Sequence, residues 1–225
     1  MVIRVLVEGG VLPSRSGVAP SPFDGVLDGS EVLREALKKF FTAVLGLENV
    51  SIVVTNAAGN RNAAKMFVAN PMEDYLYTDL DDVPEKRVCW FEKMEKAGIR
   101  IPEDKKQNVF FWIQEMEAWF LKQPQSIEDW ANQSGFRIKH PVADNSLIAG
   151  KDIEHLQHKP SYVMVVIFKH DLQNDRKGKD GRPQRLEYGK LRHAPRIIPY
   201  IEPQKLLQKD AELQAFVESV KRRTE

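Results

Sequence analysis

Hydrophobic and polar positions along this chain fall into short β-branched runs separated by longer segments with helical spacing. Val2-Ile3-Arg4-Val5-Leu6-Val7 is apolar at every position but one, the pattern of a strand buried on both faces. Glu8-Gly9-Gly10 closes it. The stretch from Pro13 to Gly29 holds four glycines or prolines in its first ten residues and predicts an irregular loop. Loops of this length in compact domains are usually functional or mobile. Ser30 is a candidate N-cap, and Leu33, Leu37, Phe40, Phe41 and Val44 recur at helical spacing, so residues 31–45 predict an amphipathic helix ended by Gly46. Val50 to Thr55 is a second strand. The polar turn Asn56-Ala57-Ala58-Gly59-Asn60-Arg61-Asn62 leads into a helix carrying Ala64, Phe67 and Val68, which Pro71 stops.

A third strand follows in Glu73-Asp74-Tyr75-Leu76-Tyr77-Thr78-Asp79-Leu80-Asp81-Asp82, an apolar run that ends in a cluster of acids. The order strand, helix, strand, helix, strand predicts an α/β fold, a mostly parallel sheet with right-handed crossovers and flanking helices. Beyond it, residues 85–98 read as a helix with Trp90, Phe91 and Met94 inward, Val109 to Ile113 as a fourth strand, and Gln114 to Leu121 as a helix start stopped by Pro124. Residues 126–131 form a short helix around Trp130, and 133–160 carry weak signals. Tyr162 to Phe168 reads as a buried strand, 171–189 as a mobile loop or hairpin excursion, and 203–223 as one closing helix. The expected organisation is an α/β core over residues 1–125 and a C-terminal extension over 126–225 packed on it.

Composition narrows the function classes. Hydrophobic residues make up 42% and charged residues 29%, ordinary for a globular protein, and 33 basic against 32 acidic residues give a formal charge of +1. No global field marks a nucleic-acid binder, so contact with a polyanion has to come from a local patch. The single cysteine, Cys89, excludes an intrachain disulfide and a cysteine zinc site, and makes the reducing cytoplasm the expected compartment. The N-terminal apolar run is too short for a secretory signal, and no window approaches the roughly 18 apolar residues of a membrane span, so no membrane partner is expected.

Ligands of open α/β sheets sit beyond the C-terminal ends of the strands. Glu8 follows the first strand there, and Asp79 and Asp81 follow the third. Strand alternation puts Asp79 and Asp81 on one face and turns Asp82 away. If the first and third strands are neighbours, three carboxylates converge, an oxygen-only set suited to Mg²⁺ or Mn²⁺ and to polarising a phosphoryl oxygen. Taken singly, each acid also reads as a solvated turn residue. Glu117 is either a further ligand or general base, with Glu115 able to substitute for it, or a helix N-terminal acid favoured by the dipole. Lys190 and His193 can contact a phosphate or shuttle a proton, or lie on the surface. Arg61, entering a helix beside Gly59, can bind phosphate or be an ordinary surface arginine. The densest basic stretch, Arg176, Lys177, Lys179, Arg182, Arg185, Lys190, Arg192 and Arg196, can track a nucleic-acid backbone, although Asp171, Asp175, Asp180 and Glu187 interleave with it.

In order along the chain, Val7-Glu8-Gly9, Gly59-Asn60-Arg61-Asn62, Thr78-Asp79-Leu80-Asp81, Met116-Glu117-Ala118-Trp119-Phe120-Leu121 and Tyr188-Gly189-Lys190-Leu191-Arg192-His193-Ala194-Pro195 resemble an uncharacterised Toprim-like family, domain of unknown function 4276. The resemblance spans nearly the whole chain, and its Met-Glu-Ala-Trp-Phe and Lys-x-x-His-Ala-Pro pieces are its most specific parts. It implies a Toprim fold in which Glu8 is the glutamate after the first strand and Asp79 and Asp81 are the paired acids that bind Mg²⁺ for phosphoryl transfer. The family's Asp-x-Glu stands here as Asp79-Leu80-Asp81, which shortens one ligand arm. The resemblance also implies a nuclease effector of bacterial anti-phage defence working beside an ATPase. The competing expectations are a binding module that docks on a partner, which the shortened arm and near-neutral charge favour, and a small-molecule phosphohydrolase with the same carboxylates. Oligomerisation is left open.

Overall fold

The computed structural model describes residues 1–9, 29–174 and 186–224. Its centre is a four-stranded, all-parallel sheet built from β1 (Val2–Glu8), β2 (Ser51–Ala57), β3 (Tyr75–Asp79) and β4 (Val109–Trp112), in the order β2-β1-β3-β4. Helices α1 (Gly29–Leu45), α2 (Asn60–Ala69), α3 (Arg87–Lys96) and α4 (Glu103–Lys106) lie between the strands in sequence, α1 and α2 each joining one strand to the next. After β4 the chain is mostly helical: α5 (Ala118–Lys122), α6 (Pro124–Gln133), α7 (Pro160–His170), α8 (Lys190–Ile197), α9 (Pro203–Leu207) and α10 (Ala211–Thr224). A small antiparallel ladder joins β5 (Arg137–Ile138) to β6 (Leu172–Gln173). Among the described residues no helix is long and apolar enough to cross a membrane.

The period of two in the strands sorts the apolar residues into two layers. Ile3, Val5 and Val7 of β1, Tyr75 and Tyr77 of β3, and Phe110 and Trp112 of β4 join one core with α1, α5 to α8 and α10. Leu6, Leu76, Val109 and Phe111 join a second core with Ala63, Ala64 and Phe67 of α2 and Trp90 and Met94 of α3. The sheet is therefore sandwiched between helices. The β4 edge is closed from the C-terminus: the backbone N–H of Phe111 donates to Glu212 Oε2 at 3.1 Å, and Glu212 also pairs with Arg87.

Three expected elements take a different form. The run 162–168 is helix, not strand: Pro160 occupies the first turn of α7, and Val163, Met164, Ile167 and Phe168 are buried at helical spacing while Tyr162 and Val165 face solvent. A short apolar run has the same composition in either state, and here the two exposed positions three residues apart mark the helix. The closing helix is broken into α9 and α10 at Asp210, whose carboxylate caps α10 by accepting from the Leu213 N–H at 2.8 Å. The helix expected over 85–98 is a 3₁₀ turn at Pro84–Lys86 followed by α3.

Candidate functional site

Because β1 and β3 are hydrogen-bonded neighbours in register, Val7 opposite Tyr77, Glu8 and Asp79 end up side by side at the C-terminal edge of the sheet. Glu8 Oε2 accepts from Thr78 Oγ1 at 2.7 Å and from the Asp79 N–H at 3.1 Å. Thr78 Oγ1 is also 2.9 Å from Asn60 Oδ1, and that oxygen accepts from Trp90 Nε1 at 2.8 Å. Asn60 Nδ2 donates to the Asp79 carbonyl at 2.9 Å and to Asp81 Oδ2 at 3.2 Å. Asn60 thus ties the first helical turn of α2 to the end of β3, and Thr78 carries the link on to Glu8 of β1.

The face carrying Asp79 is built from later segments. Asp79 Oδ1 accepts from the Met116 N–H at 2.9 Å, and Oδ2 accepts from Lys190 Nζ at 2.8 Å. The same ammonium stands 3.6 Å from Glu117 Oε2, while Glu117 Oε1 accepts from Tyr188 Oη at 3.0 Å. Glu115 lies alongside, accepting from the Ser161 N–H at 2.9 Å and pairing with Lys159 at 3.3 Å. Lys159 in turn holds Asp81 Oδ1 at 2.9 Å. Lys190 therefore joins Asp79 to Glu117, Lys159 joins Glu115 to Asp81, and Glu8 is held beside them by Thr78 and the Asp79 N–H.

Burial sets the protonation of this group. It pushes the Glu8 carboxyl up to about 7, helped by the neighbouring Asp79 charge. It also raises Asp79 and Glu117, against the pull of Lys190. Burial draws the Lys190 ammonium down, but Asp79 and Glu117 outweigh it and hold Lys190 above the usual lysine range. Burial and the Glu117 charge together raise the Tyr188 hydroxyl well above its ordinary value, so it remains a donor.

One expected pairing is corrected. Strand alternation was to put Asp79 and Asp81 on one face, but β3 ends at Asp79 and Asp81 takes a left-handed conformation with φ +62. Gln114, at the corresponding bend after β4, is left-handed as well with φ +57, and the two bends are joined by Asp81 N to Gln114 O at 2.8 Å and Gln114 N to Asp82 O at 3.0 Å. The turn sends the Asp81 carboxylate to Asn60 and Lys159, away from Lys190. Non-glycine residues held at positive φ tend to cluster where geometry serves a site.

His193 lies in α8 one turn from Lys190, but its ring is buried among Trp130, Phe168 and Tyr188, and Nδ1 accepts from the Gly189 N–H at 2.9 Å. Burial pulls its pKa down to about 4, so it is neutral near pH 7 and anchors the start of α8. Arg61 and Arg192 are exposed. Lys177, Lys179, Arg182 and Arg185, with Arg176, lie outside the described residues. Asn60, Thr78 and Lys159 belong to the site without having been singled out. Asn60 and Thr78 stand inside quoted motifs, whereas Lys159 sits before Pro160 with nothing local to mark it.

Carboxylate oxygens are the donors that Mg²⁺ and Mn²⁺ take, and Glu117 Oε2 is buried with no hydrogen-bond partner. In type, the donor set fits a hard cation. In arrangement, among the described residues no group of three or more His, Cys, Asp or Glu side chains is poised around one point, and the Lys190 ammonium stands between Asp79 and Glu117. Compared with known proteins, the chain matches no family profile, no curated protein and no solved structure.

Proposed function

We propose that the protein is a divalent-metal-dependent, Toprim-like phosphodiesterase acting on nucleic acid. The observation that supports this reading is the meeting of Asp79 and Glu117 on Lys190, with Glu8 held beside Asp79, at the C-terminal edge of a parallel sheet. In donor type Glu8, Asp79 and Glu117 are the residues that would take Mg²⁺ or Mn²⁺, with Asp81 at the rim, and binding would require the Lys190 ammonium to leave its place between Asp79 and Glu117. When bound, the metal supplies neutralisation of the charge that builds on phosphoryl oxygens. Lys190 offers an ammonium to the scissile phosphate from the same edge, its Nζ held by Asp79. Without the ion, burial and the Asp79 charge hold the Glu8 carboxyl at a pKa of about 7, so a cation binding there would release its proton. Glu117 and the Tyr188 hydroxyl fix the position of the lysine, and Asn60 fixes the two strand ends. In the cell this activity would serve as the effector part of a defence system with an ATPase, in keeping with the likeness of its motifs to the Toprim-like family.

Cleavage of plasmid, oligonucleotide or tRNA that requires Mg²⁺ or Mn²⁺ and is lost in Glu8→Gln and Asp79→Asn is the expected outcome. Cleavage unchanged by both substitutions sinks the proposal.

A second reading is favoured by one specific feature. Lys190 already neutralises Asp79 and Glu117, so the cluster can be a self-satisfied structural network in a binding module that docks on a partner protein. Titration calorimetry with Mn²⁺ separates the two: heat that disappears in Asp79→Asn supports the enzyme, and absence of heat in the wild type supports the docking module.

A further inference from the structure

Beside the carboxylate and lysine cluster lies an open cavity of about 440 Å³ with two chemically distinct ends. One end is Glu115, Glu117, Tyr188 and Lys190; the other is the solvent-facing stripe of α7, Tyr162 and Val165. Tyr162 is 51% exposed although α7 buries its opposite face completely, and Val165, one turn on, is 43% exposed. The His158 ring stands 5.0 Å from the Tyr162 ring, tilted by 39°, and Tyr162 lines the cavity. The shelf is tied to the polar end, because the Ser161 N–H donates to Glu115 at 2.9 Å and Lys159 joins Glu115 to Asp81.

We propose that Tyr162 is a stacking shelf for one unpaired nucleobase whose phosphate lies at Lys190, which makes single-stranded nucleic acid the ligand of this site. The proposal rests on the nucleic-acid reading above and names its substrate class. The cavity is of the size that holds one small ligand rather than a duplex. Within a duplex both faces of a base are covered by its neighbours, so a base can reach Tyr162 only from a single strand or after leaving the stack. A ring accepts any base by its π-face, so the shelf selects strandedness and not sequence. Val165 covers the edge of the same base, and Lys190 sets which phosphate is held.

The test is fluorescence anisotropy of a labelled single-stranded 12-mer and of the same sequence as a duplex, in buffer with Ca²⁺ in place of Mg²⁺. Wild-type protein should bind the single strand more tightly than the duplex. Tyr162→Ala should lose about 5- to 150-fold in single-strand affinity, the range found for removing one base–aromatic stack, with duplex affinity unchanged. Tyr162→Phe, which keeps the ring, should stay within about two-fold of wild type. Because Tyr162 faces solvent, both variants should melt with the wild type. Equal affinity for single strand and duplex, or unaltered single-strand binding in Tyr162→Ala, overturns the shelf. If the wild type cleaves nucleic acid in Mg²⁺ while Tyr162→Ala cleaves and binds like it, the shelf fails and the phosphodiesterase stands. If the wild type neither binds nor cleaves any nucleic acid, both fail.

Discussion

Glu8 and Lys190 carry opposite costs at the sheet edge, and each can be read out as stability. The folded-state value of the Glu8 carboxyl, about 7, lies above its ordinary 4.5, so the folded protein holds that proton more tightly than the unfolded chain. The resulting stabilisation is full below pH 4.5 and is lost as pH rises through 7. Glu8→Gln keeps an acceptor for Thr78 and for the Asp79 N–H but cannot ionise. Without divalent metal, it should be more stable than wild type at pH 8 by about 1–3 kcal/mol, with the difference gone near pH 4.5, as thermal melts across that range would report. Lys190→Met acts in the other direction. It leaves Asp79 and Glu117 without their ammonium, and since the lysine side chain is 30% exposed the cost at pH 8 should be about 1–3 kcal/mol. The loss should shrink as the pH falls and the two carboxyls, both raised by burial, take up protons; urea denaturation along a descending pH series checks it. Glu8, Asp79, Glu117 and Lys190 were legible from their motifs. The separation of Asp81 from Asp79 was not, because strand alternation holds only while the strand lasts, and the left-handed turn at Asp81 is stabilised by a partner bend around Gln114.

The junction between α9 and α10 is decided by one buried carboxylate. Asp210 is 1% exposed and accepts from Trp119 Nε1 at 2.9 Å, Lys122 Nζ at 2.7 Å and the Leu213 N–H at 2.8 Å. It joins α5 to the start of α10. Asp210→Ala should cost about 2–4 kcal/mol, because it leaves the buried Lys122 ammonium with Glu154 alone, an indole N–H unpaired and α10 without its cap. Asp210→Asn, which can still cap α10 and accept from the indole, should cost less; chemical denaturation ranks the pair. The same network explains why an apolar repeat over 203–223 misreads as one helix: hydrophobic spacing continues across the break, and the break is set by residues some 90 positions earlier. For α7 the spacing alone could not decide, since every position from 162 to 168 is apolar. Val163, Met164, Ile167 and Phe168 fit a helical stripe, but a run of β-branched residues between prolines and a charged segment carries strand composition, and only burial on one side separates the two.

At the scale of the molecule, the sheet's larger core is shared between the first and second halves of the chain. The Phe216 ring lies 5.2 Å from Phe41, 5.5 Å from Tyr75, 5.7 Å from Tyr77 and 5.4 Å from Phe110, and α10 also satisfies the β4 edge through Glu212. A fragment ending at residue 125 would expose these rings and an unpaired strand edge. It should show no cooperative unfolding transition by circular dichroism, whereas the full chain should unfold in one step over the described body. The candidate site has the same dependence: Asp79 comes from β3, Glu117 from the segment after β4, and Lys190 from α8, 111 residues beyond Asp79.

By itself the sequence determined the α/β class, the four strands of the parallel sheet and the acids at their ends, and it also predicted a fifth strand over 162–168 that folds as helix, because β-branched runs, helical spacing and strand-end polarity are local properties of the chain. The tertiary structure alone decided that β1 and β3 are neighbours, that Lys190 stands between Asp79 and Glu117, that Lys159 joins Glu115 to Asp81, and that His193 is neutral near pH 7 and packed among aromatics. These depend on which distant segments share a low-dielectric edge, where an ammonium and a carboxylate must find each other or lose their charge. Spacing along the chain does not encode that pairing.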